Sequence, residues 1–270
     1  MAEKKNDKLS RGKAMVHFVG AGSGAADLIT VRGQRLLSKA DVIIYAGSII
    51  NKELLNICKK NAKLYDSALL TLEEIIGLIR EADEAGLDIV RLHSGDPSIY
   101  GAVREQIDAL CKLDIDYDIT PGVTAAMAAA AGLGMEFTLP GVTQSFVITR
   151  VSGKTVVPET ESIERFVSTG ASVAVYLSAD LADEMTERLI SAGIDADMPA
   201  AVVYKASWED ERSFICNIET VAETLKREDI HGLAVILIGR SLEQLVTDNG
   251  RERSKLYDPS CATGYRHPLS

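Results

Sequence analysis

Short apolar segments alternate with helical patterns along most of this chain. Residues 15–19 and 42–45 have the composition of buried strands, and residues 28–40 between them have a helical pattern. A capping box of Thr71 and Glu74 begins the next helix, and a further strand follows around Ile89. Because this alternation is typical of a mostly parallel sheet with both faces covered, we predict an α/β fold.

The pattern resumes after a linker-like segment at 138–141. Further strands are predicted at 146–150, 172–177, 200–205 and 233–238. We therefore expect two α/β domains, at 14–138 and 142–245, with an active-site cleft between them. The polar residues 1–13 predict a flexible tail, and 246–270 predict a C-terminal tail.

Charge and hydropathy exclude some classes of protein. The 270-residue chain has a net charge of −10, which disfavours binding to nucleic acid by broad phosphate neutralisation. Its longest run of low polarity, 124–135, is too short to span a bilayer. Since the N-terminus also lacks the apolar core of a signal peptide, we expect a cytoplasmic protein with no membrane partner.

The cysteines and histidines do not have the spacing of a metal site. Cys58, Cys111, Cys216 and Cys261 form no CxxC pair and have no histidine at zinc-site spacing. We expect free thiols and no metal. Among the histidines, only His93 adjoins a candidate site loop.

That loop, His-Ser-Gly-Asp-Pro-Ser-Ile-Tyr-Gly at 93–101, follows a strand and leads into a helical pattern at 98–113. Its glycine allows close approach of a ligand to the backbone, and Asp96 offers a pair of acceptors. Open α/β sheets place ligands at loops that leave the carboxyl ends of strands. The same residues also suit a plain strand-to-helix turn, so both interpretations stay open at this point.

A second glycine loop, Gly-Ala-Gly-Ser-Gly-Ala at 20–25, satisfies the G-x-G-x-x-A dinucleotide fingerprint. The fingerprint also requires a carboxylate near the end of the second strand, where this chain has Tyr-Ala-Gly-Ser at 45–48. We therefore disfavour a nicotinamide site and interpret the loop as a turn that brings the chain close to a substrate.

Four blocks in order carry a family resemblance. They are residues 19–30, Ser-Gly-Asp-Pro at 94–97, Thr-Pro-Gly-Val-Thr-Ala-Ala at 120–126 and Val-Tyr-Lys-Ala-Ser-Trp at 203–208. Together they resemble the tetrapyrrole methylase family of S-adenosylmethionine-dependent enzymes, of the class III methyltransferase type. Segments 45–48, 203–211 and 254–259 resemble the branch that methylates carbon 11 of precorrin-4 or cobalt-precorrin-4 in cobalamin biosynthesis. The chain departs from the family at Ser23, where proline is usual, and at Ala25, near which aspartate is usual.

The resemblance implies methyl transfer from S-adenosylmethionine to an electron-rich ring carbon, with S-adenosylhomocysteine as the second product. This transfer needs no metal, and the sequence contains no evident nucleophile–base set, so the catalytic residue stays unknown. The residues implied to bind the cofactor are Ser94, Gly95, Asp96, Ile99, Thr124, Ala125, Leu177 and Ala206.

The implied substrate is a tetrapyrrole with many carboxylates, so its site should present cations. The candidates are Arg104, Arg150, Lys154 and Lys205, each of which could instead be a solvated surface charge. The resemblance also implies a homodimer. The alternatives are a methyltransferase of the same superfamily that acts on another precorrin carbon or on diphthamide, and a tetrapyrrole-binding protein without turnover.

Overall fold

The structure is a computed structural model that describes residues 15–246, 254–262 and 264–267. The predicted tail at 1–13 lies outside the described residues, as does part of the predicted tail at 246–270. The chain forms two compact units. Met1–Ala125 and Ser207–Glu209 make the first, and Ala126–Ala206 and Asp210–Ser270 make the second. This division falls earlier in the chain than the predicted linker at 138–141.

The first unit contains a five-stranded sheet in the order β3-β2-β4-β1-β5, and all of its pairings are parallel. The strands are β1 (Met15–Gly20), β2 (Val42–Tyr45), β3 (Lys63–Asp66), β4 (Ile89–His93) and β5 (Asp116–Thr120). The helices are α1 (Val31–Leu37), α2 (Leu72–Glu84) and α3 (Val103–Lys112).

Apolar side chains cover both faces of this sheet. Phe18 and Ile44 pack in one buried cluster with residues of α2 and α3. Val19 and Ile43, which point to the other face, pack with Leu37 of α1. Because both faces are buried, the central strands are nearly continuous apolar runs, which is why the sequence predicted them well.

The second unit contains a mixed sheet in the order β6-β7-β10-β8-β9. Its strands are β6 (Phe146–Arg150), β7 (Ser172–Tyr176), β8 (Pro199–Tyr204), β9 (Arg212–Asn217) and β10 (Ala234–Ile238). The later helices of the chain are α4 (Ala125–Leu133), α5 (Ile163–Ser168), α6 (Ala182–Ser191) and α7 (Val221–Arg227). Only the β6–β7 pairing is parallel, and the other three are antiparallel. The predicted two-part α/β class is confirmed, whereas the mostly parallel arrangement is wrong for this second sheet.

Two predicted helices begin later than expected. The helix predicted at 98–113 begins only at Val103, because Tyr100 and Ala102 have φ of 53° and 48°, which a right-handed helix excludes. The pattern at 28–40 contains only α1, which begins where the Thr30 hydroxyl accepts from the Gly33 N–H at 3.1 Å. Within the part of the chain that the structure describes, no helix is long and apolar enough to cross a bilayer.

Candidate functional site: a glycine cradle and its polar rim

Three loops of the first unit leave the carboxyl ends of the adjacent strands β4, β1 and β5 and meet through glycines. A Cβ added to Gly122 would lie 2.1 Å from the carbonyl oxygen of Gly95. A Cβ added to Gly20 would lie 2.6 Å from that same oxygen and 2.6 Å from the Cα of Gly122. These contacts leave no room for a side chain, so the loops touch through their backbones. We name Gly20, Gly95 and Gly122 the glycine cradle.

Backbone hydrogen bonds hold the cradle together. The Ala21 N–H donates to the His93 carbonyl at 2.7 Å, and the Gly95 N–H donates to the Gly22 carbonyl at 2.8 Å. The loop at 20–25 therefore runs along the loop after β4 as an isolated antiparallel bridge. These glycines therefore allow one backbone segment to lie close to another, whereas the sequence predicted a close approach to a substrate.

Asp96 joins two of the three loops. Its Oδ2 accepts from the Gly122 N–H at 2.8 Å, and its Oδ1 accepts from the Ser98 N–H at 2.8 Å and from the Ser98 hydroxyl. Burial alone would raise the pKa of Asp96, but the hydrogen bonds from Ser98 and Gly122 outweigh it and hold the pKa below its usual value. The carboxylate is therefore ionised at neutral pH and organises the loops around it.

The structure brings six of the predicted cofactor residues together at this edge of the first sheet. Ser94 and Asp96 are half-buried beside Gly95, and Thr124 lies across from it, with its Cα 3.6 Å from the place of a Gly95 Cβ. Ala125 follows directly and begins α4. Ile99 lies in the turn after Asp96, to whose carbonyl its N–H donates at 3.2 Å.

The other two predicted cofactor residues belong to the second unit. Leu177 directly follows β7 and is 61% exposed, with a φ of 54°. Ala206 is buried two residues after the end of β8, next to Lys205 with a φ of 50°. Positive φ is costly for non-glycine residues, and such residues concentrate at ligand sites.

His93 ends β4 and is buried, with 4% of its surface exposed. Its Nε2 has no hydrogen-bond partner among the described residues. Burial, assisted by the nearby Arg91 cation, lowers the pKa of His93 to about 3, so the imidazole is neutral at physiological pH. Burial also lowers the pKa of Arg91 to about 10, and its Nε donates to Gln106 Oε1 at 3.0 Å.

Of the predicted substrate-binding cations, Arg150 lies in the most enclosed setting. It ends β6 and lines a cavity of about 470 Å³ in the second unit, together with Glu159 and the Arg188–Glu164 ion pair. Lys154 is exposed on the loop after β6. A cavity lined by cations and carboxylates can receive a polar group but does not by itself specify an anion.

The remaining two cations are engaged with carboxylates. Arg104 is 81% exposed and pairs with Asp108 one turn further along α3. Lys205 pairs with Asp210 and lies over the ring of Tyr204. Among the described residues, no group of histidine, cysteine or carboxylate side chains is arranged to hold a metal.

Sequence reasoning did not predict the contacts of Gly20, Gly122, Ser23 and Ser207 with other segments of the chain. The glycines had a detectable signal, since Gly20 ends β1 and Gly122 stands two residues after the end of β5. The hydrogen bond between Ser23 and Ser207 joins positions 184 residues apart and had no local signal.

Two proteins that are similar to this chain in sequence bear closely related names. A cobalt-precorrin-4 C(11)-methyltransferase of Methanocaldococcus jannaschii is 43% identical over 251 residues, which cover 93% of this chain and 95% of that protein. A precorrin-4 C(11)-methyltransferase of Rhodococcus erythropolis is 47% identical over 228 residues, which cover 84% of this chain and 91% of that protein.

Solved structures of similar fold are also methyltransferases. A cobalt precorrin-4 methyltransferase described as a cobalamin biosynthetic enzyme has a TM-score of 0.84 and 37% identity, covering 87% of this chain and 99% of its own. A uroporphyrin-III C-methyl transferase from Thermus thermophilus complexed with S-adenyl homocysteine has a TM-score of 0.71 and 25% identity, covering 86% and 94%.

The model of the Tetrapyrrole (Corrin/Porphyrin) Methylases matches residues 15–222, which include all four of the sequence blocks. Since that match spans most of the chain, and the relatives align along nearly their whole lengths, the chain belongs to the tetrapyrrole methylases.

Proposed function

We propose that this protein is an S-adenosylmethionine-dependent methyltransferase that methylates carbon 11 of precorrin-4 or cobalt-precorrin-4 in cobalamin biosynthesis. The observation that carries the proposal is the near full-length match, at 43% and 47% identity, to relatives that bear this activity in their names. The glycine cradle supports the cofactor-binding part of the proposal, because it lies where open α/β sheets hold their ligands.

The residues around the cradle fit a cofactor such as S-adenosylmethionine. The cradle leaves no space for side chains between its loops, so backbone groups and the half-buried Ser94, Asp96 and Thr124 form the surface offered to a ligand. A solved relative binds the demethylated product of the same cofactor. We assign cofactor binding to Ser94, Gly95, Asp96, Ile99, Thr124 and Ala125, with Leu177 and Ala206 as further contacts.

When bound, S-adenosylmethionine supplies an electrophilic methyl group on a positively charged sulfur. The task of the protein is then to align that methyl group with the acceptor carbon and to exclude water, which in favourable systems is worth about 7–11 kcal/mol. Asp96, ionised and fixed by Gly122 and Ser98, keeps the loop after β4 in place. His93 is neutral and buried, so it does not act as an acid through its imidazolium form at neutral pH.

A tetrapyrrole acceptor brings carboxylates that need cationic partners. Arg150 is the strongest candidate, because it lines a cavity rather than an open surface. Lys154 stands on the next loop, whereas Arg104 and Lys205 would have to exchange their carboxylate partners for those of the substrate. We therefore expect Arg150→Ala to raise the KM for the tetrapyrrole more than Arg104→Ala does.

The assay that tests the function offers both acceptors to the purified protein. The enzyme is incubated with S-adenosylmethionine labelled at the methyl carbon and with either precorrin-4 or cobalt-precorrin-4. We expect a singly methylated product whose label resides on carbon 11 by carbon NMR. Methylation at another ring carbon, or only of a diphthamide precursor offered in parallel, would overturn the assignment. The relative rates decide whether cobalt is present in the preferred acceptor.

Homodimerisation stays a prediction from the family resemblance, and a cytoplasmic location stays a prediction from the composition of the sequence. Light scattering on the purified full chain measures the mass of the particle. One chain has a mass of 29.1 kDa, and we expect a particle of twice that mass.

A further inference from the structure

The short segment Ser207–Glu209 follows β8 yet packs as part of the first unit. There the Ser207 hydroxyl lies 2.8 Å from the Ser23 hydroxyl and accepts from the Ala25 N–H at 3.1 Å. The indole of Trp208 donates to the Ser23 carbonyl at 3.0 Å. Residues of the loop at 20–25 are thus held through a hydroxyl, an amide and a carbonyl.

Ser207 takes up this position in a costly backbone conformation. Its φ is 68°, in the left-handed region, which is unfavourable for a non-glycine residue. Such a conformation persists where surrounding contacts over-determine it, and the hydrogen bonds to Ser23 and Ala25 are contacts of that kind. A glycine would relieve the cost but would lose both bonds.

The residue before Ser23 is hydrogen-bonded to the predicted cofactor loop. Gly22, the residue before Ser23, accepts from the Gly95 N–H at 2.8 Å and donates to the Gly95 carbonyl at 3.3 Å. Ser23 itself is buried. A shift of the loop at Ser23 therefore displaces Gly95, which stands between Ser94 and Asp96.

Ser23 stands where, by the family resemblance, proline is usual. A proline ring fixes φ and stiffens the turn by covalent geometry. In this chain, the hydrogen bond between the Ser23 and Ser207 hydroxyls restrains the same residue through a contact with another segment. The two devices have the same consequence, which is a loop with fewer accessible conformations.

We propose that Ser207 and Trp208 are positioning residues that hold the loop at 20–25 against Gly95, and that the Ser23–Ser207 bond replaces the rigidity of the family's proline. The inference rests on the proposed function, because it assumes that the loop after β4 binds the cofactor. Neither residue needs to touch the cofactor through its side chain.

The test measures S-adenosylhomocysteine binding by calorimetry in Ser207→Ala and Ser207→Gly variants of the full chain. Each neutral hydrogen bond is worth roughly 2- to 12-fold in an equilibrium constant, so both variants should bind about tenfold more weakly. Ser207→Gly guards against misfolding, since it relieves the positive φ. Ser168→Ala is the matched control, because it removes an exposed hydroxyl that bonds only within its own turn.

The same test in a Ser23→Pro variant isolates the role of the Ser23 hydroxyl. Ser23→Pro should bind S-adenosylhomocysteine within about twofold of the parent, and Ser207→Ala in that background should cost only about threefold, the share of the Ala25 bond. Equal losses in both backgrounds would overturn the replacement of proline by a hydroxyl pair. Unchanged binding in Ser207→Ala and Ser207→Gly, with only a lowered Tm, would show a merely structural role.

Fluorescence supplies a readout that general destabilisation does not imitate. Trp208 is the single tryptophan of the chain, so its emission reports directly on this contact. We expect S-adenosylhomocysteine to change the emission in the parent protein and to change it less in Ser207→Gly at saturating ligand. Absence of any binding by the parent protein would contradict the proposed function itself, and this inference with it.

Discussion

In the first unit, three loops leave parallel strands and meet through Gly20, Gly95 and Gly122, whereas in the second unit the loops after β7 and β8 turn through Leu177 and Lys205 with positive φ. The glycines serve close approach of backbone to backbone. The non-glycine residues instead present side chains from a conformation that glycine would adopt more easily. One region therefore depends on the absence of Cβ atoms, and the other retains side chains at an energetic cost.

The largest expected effect comes from a Cβ in the cradle. Gly122→Ala would place that atom 2.1 Å from the Gly95 carbonyl oxygen, so the loops must separate. We expect the free energy of unfolding to fall by about 3 kcal/mol and S-adenosylhomocysteine binding to be lost. Urea denaturation and calorimetry measure the two effects.

Gly77→Ala is the matched control for this substitution. Gly77 lies in α2, and a Cβ there would have no heavy atom within 4 Å. Alanine at this position should stabilise the helix by about 0.8–1 kcal/mol and leave binding intact. If both substitutions had the same effect, close backbone approach would not be what distinguishes the cradle.

The next effect contrasts the histidines of the two units under acid. His93 has a pKa of about 3 in the folded chain, below the unfolded value of 6.5, so the unfolded state binds a proton first as the pH falls. Stability should therefore decrease below about pH 6.5, by up to about 1.4 kcal/mol per pH unit. His93→Gln should remove this slope in urea denaturation at about pH 7, 6 and 5.

His231 of the second unit gives the opposite sign. Hydrogen bonds to Asp229 and Asp180 raise its pKa, so its contribution is present at low pH and is lost as the pH rises through the folded value. His231→Gln should leave the acid slope of the parent protein in place. Retention of the slope in His93→Gln would contradict the neutral buried state of that imidazole.

Asp96→Asn tests whether the cradle needs a carboxylate as well as glycines. The asparagine oxygen can keep one of the two sets of hydrogen bonds, either to Ser98 or to Gly122, while its amide nitrogen cannot accept. We expect S-adenosylhomocysteine to bind about tenfold more weakly, since bonds to charged acceptors are worth about 1.5–3 kcal/mol. Asp108→Asn, on the exposed side of α3, is the control, and equal affinity in both variants would show that ligand binding does not depend on the Asp96 carboxylate.

The smallest effect separates stability from binding in the second unit. Leu177→Gly relieves a φ of 54° and should raise stability by about 1 kcal/mol. The same change deletes an exposed side chain that we propose contacts the cofactor, so binding should weaken severalfold. Leu69→Ala, also at a highly exposed leucine, should change neither. Stabilisation without weaker binding would leave Leu177 outside the site.

The parallel sheet was predictable because its strands are buried on both faces. Apolar runs at β1, β2 and β4 indicated those strands, and their carboxyl ends indicated the site edge. The edge strands β3 and β9 are only partly buried and mix polar with apolar residues, so the sequence carried no comparable signal for them. The antiparallel pairing of the second sheet depends on strand order, which local periodicity does not encode.

Some parts of the candidate site could be predicted from the sequence, and others could not. Ser94, Gly95 and Asp96 were identified from one contiguous loop, because each has a local chemical reason to stand there. The late start of α3 was missed because Tyr100 and Ala102 have positive φ, which neither tyrosine nor alanine favours and which their residue types therefore did not indicate. The contact between Ser23 and Ser207 was missed because the two positions stand 184 residues apart and no local pattern links them.

A crystal structure of the full chain with S-adenosylhomocysteine tests the central claim most directly. The account predicts ligand density against the backbone of Gly95, within hydrogen-bonding distance of groups of Ser94, Asp96 or Thr124, and with the Gly22–Gly95 bridge intact. Ligand bound away from the carboxyl ends of β4 and β5, with the cradle facing only solvent, would contradict it.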